Sequence, residues 1–163
     1  MTVIATLVVG ADGSTSRNGN SAGVTSEIDR TKFLQRRRLA DCIIIGGNTA
    51  RTEPYHRTPV PVVVISRALI NPLADNRLAH CWNLSATKAL DKAIDMFGPR
   101  IHIEAGISII NELLRAGRID ELELSITEAS GGEDKIDINE LLSHFASKSE
   151  EVHEGTRMIS AKK

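Results

Sequence analysis

Three segments of the chain combine residue types that suit the binding of a phosphorylated ligand. They are Gly46-Gly47, Ser66-Arg67 and Glu104-Ala105-Gly106. Glycine lets backbone N–H groups approach a phosphate or ribose closely, and Arg67 can bind a phosphate monoester through two hydrogen bonds. A helix that begins at Gly106 would favour an anion such as a pyrophosphate at its N-terminus. Each feature alone also fits an ordinary turn, strand end or helix start, but together they favour a phosphorylated nucleotide.

A fourth segment, His102-Ile103-Glu104, has the H-x-E spacing of zinc-dependent nucleoside deaminases. The P-C-x-x-C segment that completes that zinc site is absent downstream. We therefore predict no metal, and we expect His102 to be a hydrogen-bonded strand histidine. The glycines at Gly46-Gly47 do not follow the G-x-G-x-x-G spacing, which excludes a standard Rossmann fingerprint there.

Composition narrows the class of partner. The chain has 163 residues, a formal net charge of -1 and 3% aromatic residues, so neither a basic surface nor stacking residues favour nucleic-acid binding. The longest apolar stretches are too short to cross a bilayer, and the N-terminus lacks the pattern of a signal peptide. We expect a cytoplasmic protein without a membrane partner. The two cysteines have no C-x-x-C spacing and predict neither a disulfide framework nor a thiolate metal site.

Strand and helix patterns alternate along the chain without a linker, which predicts one α/β domain over residues 1–163. Thr2–Val9 is predicted as the first strand, and residues 10–23 as a long loop of the kind that carries function. Continuous apolar runs at Cys42–Ile45 and Val60–Ser66 predict strands buried on both faces, in the middle of the sheet.

Serine caps predict two helices, from Ser26 to about Ala40 and from Ser85 to Phe97. The arginine run Arg36-Arg37-Arg38 is expected on a solvated face of the first helix. Arg100–Glu104 is predicted as a short strand, and Ile107–Ala116 as the helix that follows it.

The C-terminal part predicts a different edge of the sheet. Leu122, Leu124 and Ile126 alternate with polar residues, as in a strand with one wet face. A short helix near Ile138–His144 and a hairpin that turns at Gly155 complete the chain. The pattern predicts a mixed, mostly parallel sheet with antiparallel C-terminal strands.

The most telling segments are Asp12-Gly13, the arginine-rich helix into Leu39–Ile44, Gly46–Pro54, Val62–Arg67, Glu104–Gly106 and Leu113–Leu122. Together they resemble the reductase domain of bacterial riboflavin biosynthesis, a member of the dihydrofolate reductase-like superfamily. The resemblance covers most of the chain and is least specific at the C-terminus. It implies a three-layer fold with helices on both faces of the sheet, and reduction of the ribose of 5-amino-6-(5-phosphoribosylamino)uracil by NADPH. It also implies a homodimer, for which the alternating strand and the C-terminal hairpin are candidate surfaces.

The resemblance implies roles for individual residues. Asp12 and Glu104 would be catalytic, by positioning the acceptor or relaying a proton, and Arg30, Tyr55 and Arg57 would contact the substrate. Ser66 and Arg67 would face the 2′-phosphate of NADPH. The full set of implied cofactor contacts is Gly46, Gly47, Thr49, Glu53, Ser66, Arg67, Gly106, Ile107, Ser108 and Ile109.

The chain also departs from the family pattern, mainly on the substrate side. Gly10 replaces the serine of the S-x-D-G segment, the usual D-D-P is reduced to Glu53-Pro54, and the loop after it looks shortened. Two alternatives therefore stay open. One is reduction of a pterin or another small carbonyl compound, for which Glu27 and Asp29 are the acids at the start of the first helix. The other is a non-catalytic NADP-binding module.

Overall fold

One eight-stranded sheet organises the protein, which a computed structural model describes over residues 1–163. The strand order is β4-β3-β2-β5-β1-β6-β8-β7. All pairs from β4 to β6 are parallel, and β8 pairs antiparallel with both β6 and β7. The strands are β1 Thr2–Val9, β2 Cys42–Gly46, β3 Val62–Ile65, β4 Ala79–Trp82, β5 Arg100–Ile103, β6 Glu121–Ile126, β7 Ser147–His153 and β8 Thr156–Lys162. This confirms the predicted mixed sheet.

Five helices cover the two faces of the sheet. Those on the α3 and α4 side pack on a large apolar core, because Ala89, Leu90 and Ala93 of α3 and Ile110 and Leu113 of α4 are fully buried. A smaller apolar cluster lies on the other face, under α2. The helices are α1 Glu27–Arg37, α2 Gly47–Thr52, α3 Ala86–Phe97, α4 Ile107–Arg115 and α5 Ile138–Ser143. None of them is long and apolar enough to cross a membrane.

The sequence pattern predicted neither the short helix α2 nor strand β4. Of the two, strand β4 changes the layout of the sheet. It forms the edge of the sheet beside β3, and all four of its residues, Ala79–Trp82, are half-buried. A half-covered edge strand needs neither a continuous apolar run nor strict alternation, so its sequence carries little signal. Because β4 occupies the edge, β3 lies one strand further inside the sheet than it otherwise would.

Two expectations about the surface need correction. The arginine run is solvated only in part: Arg38 is exposed, but Arg37 is only 8% exposed, because its side chain turns inward to an acid on the sheet. Helix α1 also ends at Arg37, before the expected Ala40. Leu122, Leu124 and Ile126 are buried in the core of the same chain, so they are not available to a second copy.

Candidate functional site

A cavity of about 630 Å³ opens where strands β2, β3 and β5 end and helices α2, α3 and α4 begin. Ligands bind at the carboxyl ends of strands in open α/β sheets, since the loops there carry side chains and free backbone groups. The predicted cofactor residues that line this cavity are Gly46, Gly47, Thr49, Ser66, Arg67, Gly106, Ser108 and Ile109. The sheet thus brings together three segments that are distant in sequence.

The N-terminus of α4 faces this cavity without a side-chain cap. Its N-cap residue is Gly106, and no side chain accepts a hydrogen bond from its first turn. A methyl group added at Gly106 would meet no atom within 4 Å, so the space in front of these N–H groups is open. Free N–H groups and the helix dipole together favour an anion. Helix α2 also starts without a side-chain cap, at Gly46.

Helix α3 starts at the same cavity but is already capped. The Ser85 hydroxyl accepts from the Lys88 N–H at 3.4 Å, and the Glu112 carboxylate of α4 accepts from the Thr87 N–H at 3.3 Å. An anion would meet the charge of Glu112 there. The electrostatics of the cavity therefore favour the start of α4, and not that of α3, for a phosphate.

Ser66 and Arg67 form the opposite wall. The Ser66 hydroxyl accepts from the Ala68 N–H at 3.1 Å, which fixes the turn after β3. Arg67 is exposed, and its guanidinium has no hydrogen-bond or ion-pair partner in the protein. A side chain at Gly47 would come within 3.0 Å of the Ser66 hydroxyl, so glycine keeps these two strand ends close together. Arg67 is thus a free cation that this wall offers to an anion, and the Arg51 guanidinium lies nearby, with Nη1 3.2 Å from the position of a Cβ atom at Gly47.

Two predicted cofactor residues lie outside the cavity. Glu53 accepts a hydrogen bond from the Ser21 N–H at 2.7 Å, and so ties the loop after β1 to the end of α2. Ile107 packs against the large core and lines a separate cavity of about 280 Å³ with α5.

Sequence reasoning missed the part of the wall between β4 and α3. Asn83, Leu84, Ser85 and Ala86 line the cavity there, together with Glu112. The helix cap at Ser85 was recognised, but strand β4 was not, so nothing indicated that this cap meets the ends of β2 and β3.

Glu104, one of the two predicted catalytic acids, is buried in a polar network. Arg37 donates to it twice, from Nε to Oε1 at 3.1 Å and from Nη2 to Oε2 at 2.6 Å. The Tyr55 hydroxyl donates to Oε2 at 2.5 Å. Nδ1 of His102 lies 3.1 Å from Oε1 but out of line for a hydrogen bond, while Nε2 and the Thr6 hydroxyl share one at 2.5 Å. The expected hydrogen-bonded strand histidine is confirmed through Thr6.

Burial by itself would raise the pKa of Glu104. The neighbouring His102 and Arg37 outweigh this effect and hold the pKa below its ordinary value. Burial and the charge of Glu104 raise the pKa of Tyr55 well above its ordinary value. The network therefore contains an ionised carboxylate and a neutral phenol at neutral pH.

Asp12, the other predicted catalytic acid, has a separate set of partners. It accepts from the Ser14 hydroxyl at 2.5 Å and from the Gly131 N–H at 2.9 Å, and Lys135 Nζ lies 3.2 Å away. The hydrogen bonds from Ser14 and Gly131 strongly lower the pKa of Asp12. No hydrogen bond or ion pair joins Asp12 to Glu104.

The three predicted substrate residues differ in exposure. Arg30 and Arg57 are exposed. Tyr55 is 4% exposed, and its ring packs against the Arg37 guanidinium, 4.8 Å from the ring centre. In this arrangement the Tyr55 ring offers no open face on which a substrate base could stack.

Gly10 stands where the resemblance implies a serine, and its surroundings explain the change. A Cβ atom at this position would lie 2.5 Å from the carbonyl oxygen of Ala129. Ala129 belongs to the loop that carries Gly131, and its carbonyl accepts from the Ala11 N–H at 2.7 Å. The two loops pack too closely here for any side chain at Gly10.

The fold and the cavity define an α/β protein with a candidate ligand site at the carboxyl ends of parallel strands. The model of the RibD C-terminal domain family matches residues 1–135, and the chain belongs to that family. No curated protein sequence matches the chain.

Solved structures share the fold. A diaminohydroxyphosphoribosylaminopyrimidine deaminase/5-amino-6-(5-phosphoribosylamino)uracil reductase from Thermotoga maritima aligns over 99% of this chain, with a TM-score of 0.69 and 13% identity. This chain spans only 56% of that protein. A pyrimidine reductase-like protein from Corynebacterium diphtheriae aligns over 99% of this chain and 91% of its own, with a TM-score of 0.67 and 16% identity.

A third structure, a putative riboflavin biosynthesis protein from Shewanella sp. PV-4, also has a TM-score of 0.67 and 16% identity. It aligns over 99% of this chain and 98% of its own length. At these identities the likeness shows that the chain shares the fold of these proteins, a mixed α/β sheet as expected from the sequence.

Proposed function

We propose that this protein is an NADPH-dependent reductase of riboflavin biosynthesis that acts on 5-amino-6-(5-phosphoribosylamino)uracil. The observation that carries the proposal is the uncapped start of α4 at Gly106, which faces the unpaired Arg67 across the cavity. Membership of the RibD C-terminal domain family supports the reductase class, and the names of two structural neighbours support the pyrimidine substrate.

The residues of the cavity fit a dinucleotide. The N–H groups after Gly106 would bind the pyrophosphate, and Arg67 with Ser66 would bind the 2′-phosphate. A volume of about 630 Å³ falls within the range of cofactor and small-molecule sites. NADPH, when bound, supplies the hydride that reduces the ribosyl C1.

The protein's own contribution is orientation. Reduction at C1 requires the acceptor carbon to face the nicotinamide while water is excluded, so no nucleophilic side chain is needed. The pKa values of Glu104 and Asp12 are both lowered, so each acid is ionised at neutral pH. Asp12, which is partly exposed, would position the substrate through its N–H and hydroxyl groups, whereas Glu104 is buried and would act through Arg37 and Tyr55, which it holds in place. Neither acid would donate the proton that completes the reduction, so this proton would come from water.

The test is NADPH oxidation by the purified protein with three additions: the phosphoribosylaminouracil, dihydrofolate, or no substrate. We expect oxidation with the first compound only. Oxidation with dihydrofolate but not with the phosphoribosylaminouracil would indicate that the substrate is a pterin and not a pyrimidine. If neither compound causes NADPH oxidation although NADPH binds with micromolar affinity, the protein would be a non-catalytic NADP-binding module. We also propose a homodimer, which sedimentation would test. Strand β7 of the C-terminal hairpin is exposed and could contact the second copy.

A further inference from the structure

A second cavity, of about 280 Å³, lies between helices α4 and α5, and we call it the α4–α5 cavity. It shares no residue with the cavity at the strand ends, so the cofactor proposed for that cavity leaves it unexplained. Its volume falls just below the range of about 300–1,000 Å³ that is typical of ligand pockets. The space therefore suits a molecule much smaller than a dinucleotide.

The two helices that line this cavity run in the same direction. Helix α4 begins where β5 ends, and the Ile136 N–H before α5 donates to the Gly13 carbonyl oxygen at 3.0 Å, close to the end of β1. Strand β7, which follows α5, is antiparallel to β8, as β6 is, so α5 leads the chain to the opposite end of the sheet. Both helices thus lead away from the carboxyl ends of the parallel strands.

Two charged side chains of opposite sign line the α4–α5 cavity without partners. The Arg115 guanidinium on α4 and the Glu140 carboxylate on α5 form no hydrogen bond or ion pair, either with each other or with another group of the protein. Lys135 also lines the cavity, but its Nζ lies 3.2 Å from Oδ2 of Asp12. The Asp137 carboxylate caps α5 by accepting from the Glu140 N–H at 3.0 Å. One positive and one negative charge therefore remain uncommitted.

Neutral polar groups accompany each of these charges. Asn111 precedes Arg115 by four positions on α4, and His144 follows Glu140 by four positions on α5, so each pair lies on one face of its helix. The side chains of Asn111 and His144 have no partner in the protein. Because the helices run in the same direction, Asn111 and Glu140 line one level of the cavity. Arg115 and His144 line the next level, about 5.4 Å further along.

The floor of the cavity is apolar. Leu141 of α5 is 4% exposed, and Ile107 of α4 packs against the large core. A chain of methylene groups that lies on this floor is removed from water, which favours binding. The cavity therefore combines an apolar floor with opposite charges at two levels of its walls.

This combination selects the chemistry of the occupant. A guanidinium binds a carboxylate through two hydrogen bonds, and a carboxylate accepts from an ammonium group. A phosphate dianion would bring more negative charge than Arg115 balances, and would meet the like charge of Glu140. A molecule that carries both a carboxylate and an ammonium group satisfies both walls.

We propose that the α4–α5 cavity binds a small aliphatic zwitterion, an ω-amino acid whose charges are separated by a short methylene chain. Its carboxylate would lie at Arg115 and His144, and its ammonium group at Glu140 and Asn111. This site goes beyond the proposed function and does not depend on it, because it lies outside the nucleotide cavity.

The experiment titrates 4-aminobutyrate into the protein by calorimetry. Butyrate and butylamine are titrated in parallel, because each lacks one of the two charges. Wild type should bind 4-aminobutyrate about tenfold or more tightly than either of them. Arg115→Gln and Glu140→Gln each remove one charge from the cavity. Arg38→Gln and Asp95→Asn are the matched controls, since both residues are exposed on other helices and lie outside the cavity.

The pattern of losses is the specific expectation. Glu140→Gln should bind 4-aminobutyrate no more tightly than butyrate, and Arg115→Gln should bind it no more tightly than butylamine. Both controls should bind like wild type. The substituted side chains are exposed, so all four variants should melt at the temperature of wild type. Absence of 4-aminobutyrate binding to wild type overturns the proposal, and so does equal binding of butyrate or butylamine. Unchanged affinity for 4-aminobutyrate in either cavity variant overturns it as well.

Discussion

Arg37 and Glu104, 67 residues apart in sequence, hold each other through two hydrogen bonds in the interior of the protein. The pair joins the last turn of α1 to the end of β5, just before Gly106 begins the turn into α4. Phe33 and Tyr55 flank the Arg37 guanidinium at 4.6 and 4.8 Å from their ring centres. The position of α1 therefore depends on the same carboxylate that precedes the candidate phosphate site.

Replacing Glu104 with Gln should lower the free energy of unfolding by about 3 kcal/mol, since it leaves the buried Arg37 charge without its counterion. Urea denaturation measures the change. The double variant Arg37→Met, Glu104→Gln should recover part of the loss, because it removes the stranded charge as well. A double variant that is less stable than Glu104→Gln would contradict this account of the pair.

Protonation of Glu104 at acid pH should lower the free energy of unfolding. Its pKa is lowered in the folded protein from an ordinary 4.5, so its contribution is fully present above that pH and is lost as the pH falls through the lowered value. Urea denaturation at several pH values below 4.5 should give a steeper loss of stability for wild type than for Glu104→Gln. Parallel curves for the two proteins would assign acid sensitivity to other carboxylates.

Arg67→Ala should weaken NADPH binding far more than NADH binding, by about tenfold or more, because only NADPH carries the 2′-phosphate. Fluorescence titration with both cofactors measures the ratio. Arg77→Ala is the matched control, since Arg77 is also exposed but lies outside the cavity. Equal losses for the two cofactors would exclude Arg67 as the 2′-phosphate ligand.

Gly106→Ala should leave the melting temperature close to that of wild type, because an added methyl group meets nothing within 4 Å. The same methyl group would obstruct a phosphate that approaches the N–H groups of α4, so NADPH affinity should fall. Melting and titration on one preparation give both values. Unchanged affinity would place the pyrophosphate elsewhere.

Gly10→Ser, which introduces the serine that the resemblance implies at this position, should destabilise this chain. Its Cβ would lie 2.5 Å from the Ala129 carbonyl oxygen, so the two loops must separate at a cost of about 1–3 kcal/mol. Urea denaturation would reveal the loss. A serine variant as stable as wild type would mean that these loops pack less tightly than their hydrogen bonds indicate.

Local patterns predicted most of the fold because apolar periodicity reports burial directly. The run Cys42–Ile45 and the stripe of α3 need only their own neighbours in sequence to be recognised. Strand β4 was missed because half-buried edge residues have no such pattern. Arg37 was misjudged because a run of arginines looks solvated until a distant acid, Glu104, is brought beside it by the sheet.

The candidate site shows the same division. Gly106 and Arg67 were predicted from residue type and position at strand ends, and both line the cavity. The burial of Tyr55 and the hydrogen bonds to Asp12 could not be predicted in this way. They depend on residues distant in sequence, such as Gly131, which donates to Asp12. Side chains whose partners lie far away in sequence are those whose roles the sequence leaves open.

The central position of β1 also constrains how the chain folds. Thr2 pairs with Arg100 and Ile4 with Glu121, so the first strand acquires both of its neighbours only after roughly a hundred residues of chain have closed into loops. Contacts of such long range slow folding and leave unpaired strand edges exposed in the meantime. During synthesis from the N-terminus, β1 cannot complete its pairing until β6 has been made. Until then its apolar side chains are open to chaperones and to self-association.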